Sequence, residues 1–195
     1  MTSQQTNTEP EPNSTLRLVA ALVTPFIAAA IGAVATSRSV SSWYQTLRKP
    51  RWTPPSWLFG PAWSILYLMM GVASWLIWHT GKVEGREEEA GAALRLYGVH
   101  LAFNTLWSVI FFGWQRIGLG LAEILVLWSM ILATLRRFQR INRRAGLLLV
   151  PYQLWVTFAT ALNAAIWWLN RTYDGREIEI ELPASEGRAN EGVSE

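Results

Sequence analysis

The chain of 195 residues contains no cysteine and only two histidines. Disulfides, thiolate metal sites and covalently attached c-type haem are therefore excluded. Charge is scarce too, at 16% of residues with a net charge of +3. The basic residues sit in short links between apolar blocks, so their natural neighbours are lipid headgroups, and nothing in their pattern indicates nucleic acid. No Ser/His/Asp set, phosphate-cradling glycine loop or carboxylate cluster occurs in the apolar blocks, so the sequence offers no catalytic machinery.

Apolar surface is what the chain has in quantity: 51% of residues are hydrophobic and twelve are tryptophan. Trp suits a membrane protein because its ring is apolar while its N–H wants a wet partner at headgroup level. Five apolar blocks are expected at 16–36, 57–79, 93–114, 117–137 and 146–169. About 20 residues at ~1.5 Å rise cross a ~30 Å hydrocarbon core. Lipid supplies no hydrogen-bond partners, so such segments must be helices. The expected fold is all-α, an integral membrane bundle of five transmembrane helices over 16–170. It lies between a disordered polar tail (1–15) and an acidic polar tail (171–195). Ala33-Val34-Ala35 resembles a signal-peptide cleavage site, but the preceding leader is long and acidic where a signal peptide would be short and basic. The cluster Arg136, Arg137, Arg140, Arg143 and Arg144 favours an inside amino terminus.

Within the blocks, steps of three and four align side chains on single faces. Trp63, Tyr67, Met70, Ser74 and Trp78 form one stripe, and His100, Asn104, Trp107 and Phe111 a second. Tyr152, Trp155, Ala159 and Asn163 form a third. Asn104 and Asn163 either hydrogen-bond between helices or, with the aromatic walls, line a pocket for a flat and largely apolar ligand. Glu123 reads as a snorkelling or paired carboxylate near Arg116, and His100 as a hydrogen-bonded core residue. No metal site is expected. Ala28/Gly32 and Ala161/Ala165 have the small-xxx-small spacing that permits close helix packing or a dimer.

Residues 43–57, WYQTLRKPRWTPPSW, put three Trp, three Pro and three cations into one link between two apolar blocks. Pro50, Pro54 and Pro55 stiffen it. The stretch is either an interfacial belt or a lid over a pocket, apolar beneath and cationic at the rim through Arg48, Lys49 and Arg51.

The run WYQTLRKPRWTPPSWLFGPAWSILYLMMGVASWLIW (43–78) resembles the signature of the TspO/MBR family of tryptophan-rich sensory and translocator proteins. NTLWSVIFF (104–112), AEILVLW (122–128) and PYQLWVTFATALNAAIWWLN (151–170) follow in the family's order. The resemblance implies a five-helix membrane protein that binds tetrapyrroles such as protoporphyrin IX, with no required cofactor, and that forms a homodimer in the bilayer. It implies a ligand site using Tyr44, Pro54, Trp63, Asn104, Trp155 and Ala159. Tyr67, Trp107 and Asn163 join them from the stripes, and the three loop cations become candidate propionate or headgroup contacts. Leu162-Asn163 is followed by Ala164 where vertebrate members carry a tyrosine, which speaks against sterol recognition. The expected role is porphyrin sensing or transport. The alternatives are a light-dependent porphyrin-degrading enzyme and a sterol or porphyrin transporter. A bacterial member would lie in the cell membrane, with an outer or mitochondrial membrane left open.

Overall fold

The computed structural model describes residues 12–171, apart from residue 41. Within it the chain forms α1 (Pro12–Val40), the single turn α2 (Trp43–Thr46), α3 (Phe59–Val83) and α4 (Glu87–Ser108). Next come α5 (Ile117–Ile141), the short α6 (Arg143–Leu148) and α7 (Val150–Leu169). Five of these segments are long and apolar enough to cross a membrane. The protein is an all-helical, multi-pass membrane bundle. Helix α1 begins inside the expected polar tail, and the rest of that tail and residues 172–195 lie outside the described residues.

Local chemistry sets the boundaries. Helix α4 starts six residues before its expected apolar block, because Glu87, Glu88 and Glu89 occupy the first turn. Acidic side chains there complement the positive end of the helix dipole. The tight α3–α4 turn is made by Gly85 at φ 66, a left-handed backbone that glycine adopts without Cβ strain. Asn142 accepts from the amides of Arg144 and Ala145 and so caps α6. Its Nδ2 donates to Thr80 Oγ1 at 2.8 Å, tying the ends of α3 and α5 together.

Close approach of α1 and α3 depends on two residues. Pro25 lies inside α1 and has no N–H for the carbonyl of Ala21. Gly71 faces that carbonyl: a Cβ there would lie 3.0 Å from Ala21 O and 2.9 Å from Leu22 Cα. The missing side chain lets the two backbones meet. Deeper in the bundle, Met70, Ala73, Ile77, Ile131, Phe138 and Tyr152 are fully buried. Val34, Ile65 and Leu154 are at least 60% exposed and face outward, as expected where the surrounding solvent is hydrocarbon.

Candidate functional site

At one end of the bundle, α1, α3, α4 and α7 enclose a cavity of about 550 Å³, with α2 across its end. The α3 stripe supplies Trp63, stacked on Tyr67 with ring centroids 5.3 Å apart and planes at 25°. From α7 come Trp155, Ala159 and Asn163. Behind this wall Asn104 makes two hydrogen bonds: Tyr67 Oη donates to its Oδ1 at 3.1 Å, and its Nδ2 donates to Tyr152 Oη at 2.9 Å. Asn104 is buried yet does not line the cavity. It holds one ring that does, Tyr67, and ties it to Tyr152 behind the wall.

The end of α4 has a feature with no sequence signal. Val109–Gly113 form a π-helical turn, one residue wider than α-helical spacing. Trp107 stacks on Phe111 at 5.2 Å and 20°, and Phe111 meets Phe112 edge-on at 4.9 Å. Ordinary helical spacing would carry Phe112 away from Trp107, whereas here Trp107, Phe111 and Phe112 all line the cavity. The chain leaves the turn through Gln115, a non-glycine residue at φ 57, with Arg116 N–H donating to Ile110 O.

The proline-rich loop covers one end. Trp43, Tyr44 and Leu47 are buried, and Tyr44 lines the cavity. Trp52 packs edge-on against Phe158 of α7 at 5.7 Å, while Trp57 is 71% exposed, as an interfacial anchor would be. Lys49 Nζ donates to Tyr44 O at 2.6 Å and to Gln45 O at 3.3 Å, and sits 4.8 Å from the centre of the Tyr44 ring. Burial pushes the Lys49 ammonium below its ordinary pKa and the Tyr44 phenol above its own. Lys49 is thus engaged in holding the loop, while Arg48 and Arg51 are exposed. None of the three lines the cavity, and neither does Pro54.

Seven of the nine candidate ligand residues, Tyr44, Trp63, Tyr67, Trp107, Trp155, Ala159 and Asn163, line the cavity. Sequence reasoning missed the contribution of α1: Phe26, Ala29, Gly32, Ala33 and Thr36 complete the wall. Their signal was the small-residue face of α1, which had been read as a helix-packing or dimer surface. Here that face packs within the chain. Gly32 lies against Ser108, and Thr105 Oγ1 donates to Ala28 O at 3.1 Å.

Two polar residues stand apart. His100 is fully buried, with Nδ1 3.0 Å from Thr134 Oγ1, in keeping with a core histidine. Glu123 corrects its sequence reading: it neither snorkels nor pairs. It is 7% exposed, and neither carboxyl oxygen has a hydrogen-bond partner among the described residues. Glu123 shares the inward side of α5 with the buried Ile124 and Leu127, so the bundle encloses its side chain. No cluster of three or more His, Cys, Asp or Glu occurs among the described residues.

A five-helix membrane bundle enclosing an aromatic cavity under a stiff loop defines the class of protein. The chain belongs to the TspO/MBR family, whose profile matches residues 21–169. It is 40% identical to protein CrtK of Rhodobacter capsulatus over 149 residues, 74% of this chain and 89% of that protein. Identity is 42% with the tryptophan-rich protein TspO of Chlorobaculum tepidum, covering 71% and 86%. With the human translocator protein it is 37%, covering 76% and 89%.

Proposed function

We propose that the chain binds a flat, largely apolar macrocycle of the porphyrin type in this cavity, and serves a sensing or transport role in its membrane through that binding. The observation that carries the reading is the wall itself: about 550 Å³ enclosed by the rings of Tyr44, Trp63, Trp107, Phe111 and Trp155. That volume falls within the ~300–1,000 Å³ typical of small-molecule sites. Aromatic faces suit a planar π-system, each good ring pair adding about 0.5–1.5 kcal/mol beyond area burial. The polar groups are few. Trp107 Nε1 and Asn163 Oδ1 are buried without partners among the described residues, and Asn163 is tied to α5 through Ile117 O, so the cavity wall offers a ligand mainly aromatic faces. The relatives' names, sensory protein and translocator protein, agree with a role built on ligand capture.

Titration with protoporphyrin IX, followed by tryptophan fluorescence in nanodiscs, tests this. Saturable quenching should weaken about tenfold in Trp155→Ala, the loss of one to two ring contacts, and stay unchanged in Trp168→Phe on the lipid face. Quenching that ignores Trp155→Ala would mean pigment dissolving in the bilayer. Carboxylates on the ligand's edge would meet Arg48 and Arg51 at the same end, so the double Gln variant should bind a dicarboxylate porphyrin less tightly than wild type. Equal affinities would remove those two residues from the site.

A further inference from the structure

Five small residues that line the cavity are exposed: Ala33, Ser37, Ser56, Gly60 and Ser64. All belong to α1, to the start of α3 or to the 3₁₀ turn before it (Ser56–Leu58), and with them only Phe26 of α1, at 41%, is both lining and exposed. No cavity residue from α4, α7 or the loop is exposed to that degree. The open side of the cavity is thus the seam between α1 and α3.

The register of the two helices shows how the seam opens. They run antiparallel, with Leu22 against Gly71 at backbone contact and Phe26 5.9 Å from Tyr67 between ring centroids. Continuing that register sets Ala29 opposite Ser64, Ala33 opposite Gly60 and Ser37 opposite Ser56. All six line the cavity. A Cβ built on Gly60 meets nothing within 4 Å. From Phe26 to Ser37 the gap is roughly 16 Å long at ~1.5 Å per residue, about one leaflet of the hydrocarbon core.

Its edges are muted in polarity. Ser64 Oγ donates to Gly60 O, Thr36 Oγ1 to Gly32 O and Ser37 Oγ to Val34 O, so each hydroxyl proton is spent on its own helix. Helix α1 is also the least buried span: 11% of its most apolar 18-residue stretch is buried, against 33–39% in the other four. The loop end is shut by buried Trp43, Tyr44 and Leu47.

We propose that this seam is a side opening of the cavity into one leaflet, through which ligands arrive and leave dissolved in the hydrocarbon, without passing the proline-rich loop. The substrates it admits are those that partition into lipid and are thin in one dimension. The proposal rests on the reading of the cavity as a ligand site.

The absence of native cysteine makes a clean test. In liposomes, Ala33→Cys/Gly60→Cys would be bridged with a thiol-cleavable bis-maleimide, and protoporphyrin IX uptake followed by tryptophan quenching. Bridging should slow association and dissociation at least tenfold each, trap ligand loaded beforehand, and be reversed by reductant. The same bridge at Arg17→Cys/Trp78→Cys, across the closed end of the same helix pair, should change neither rate. Gly60→Trp, which fills the seam without a cross-linker, should slow both rates with an unchanged melting temperature. Unchanged rates in the bridged protein and in Gly60→Trp would overturn the side opening while leaving the cavity as the site. Absence of saturable quenching before bridging would overturn the cavity reading instead. A fluorophore on Gly60→Cys gives a ligand-independent arm: brominated phosphatidylcholine should quench it, and quenching only by aqueous iodide would show that the seam faces water.

Discussion

Arg48 and Asn170 lie 122 residues apart and exchange two hydrogen bonds: Arg48 N–H donates to Asn170 Oδ1 at 3.1 Å, and Asn170 Nδ2 donates back to Arg48 O at 2.8 Å. The Asn170 amide also reaches Ile166 O, so the side chain is fixed to the end of α7. The loop is thereby held to the last helix by its backbone, independently of which side chain occupies position 48. Asn170→Leu should free it. Amide exchange across 43–55 should quicken, and stability should fall by about 1 kcal/mol, the usual net worth of exposed amide pairing. Arg48→Ala should do neither. Hydrogen–deuterium exchange on both variants checks the contrast.

Asn104 serves two phenols at once, accepting from Tyr67 and donating to Tyr152. Removing the amide leaves both hydroxyls buried without it. Asn104→Leu should cost about 2–3 kcal/mol, since an orphaned buried polar group costs about 1–3 kcal/mol. Adding Tyr67→Phe and Tyr152→Phe should recover part of that loss, because the stranded groups are then gone. Melting temperatures of wild type, Asn104→Leu and the triple variant suffice. A triple variant less stable than Asn104→Leu alone would show that the hydroxyls have other partners.

Gly71 and Gly60 lie on the same helix and should respond oppositely to alanine. At Gly71 the new Cβ would press on Leu22 Cα and Ala21 O, both backbone, which cannot step aside. Overpacking of this kind costs about 1–3 kcal/mol. At Gly60 the Cβ meets nothing, so the better helix propensity of alanine should leave stability equal or up to ~1 kcal/mol higher. Thermal unfolding in detergent separates the two.

Burial holds the Tyr44 phenol above its ordinary value of 10.0. The unfolded chain then loses this proton at lower pH than the folded one. The associated stability is complete below the unfolded pKa and is lost as pH rises through the folded one. Tyr44→Phe should therefore flatten part of the alkaline decline in melting temperature and leave the neutral plateau unaltered in slope. Identical alkaline limbs would place the phenol in water.

Much of the site was legible because helical spacing turns sequence into faces. Trp63 and Tyr67 of one block, Trp107 of another and Trp155, Ala159 and Asn163 of a third were aligned by steps of three and four, and one cavity gathers them. Phe112 was not legible: it reaches the cavity through a π turn, and nothing in VIFFG distinguishes that turn from an α-helix before neighbouring helices are packed. Glu123 was misread for a related reason. Its distance along α5 from Arg116 suggested the interface, whereas what decides its burial is which helix covers that face.

The sequence by itself determined the five spans, the membrane and the stiff aromatic loop, because hydrocarbon leaves a long apolar segment no alternative to a helix and proline leaves its own φ no freedom. Tertiary structure alone decided where the spans meet and where they part. Gly71 and the Ala21 carbonyl freed by Pro25 bring α1 and α3 together at one end. At the other end small residues face small residues across a gap, and contact between backbones depends on the partner surface as much as on the chain that carries it.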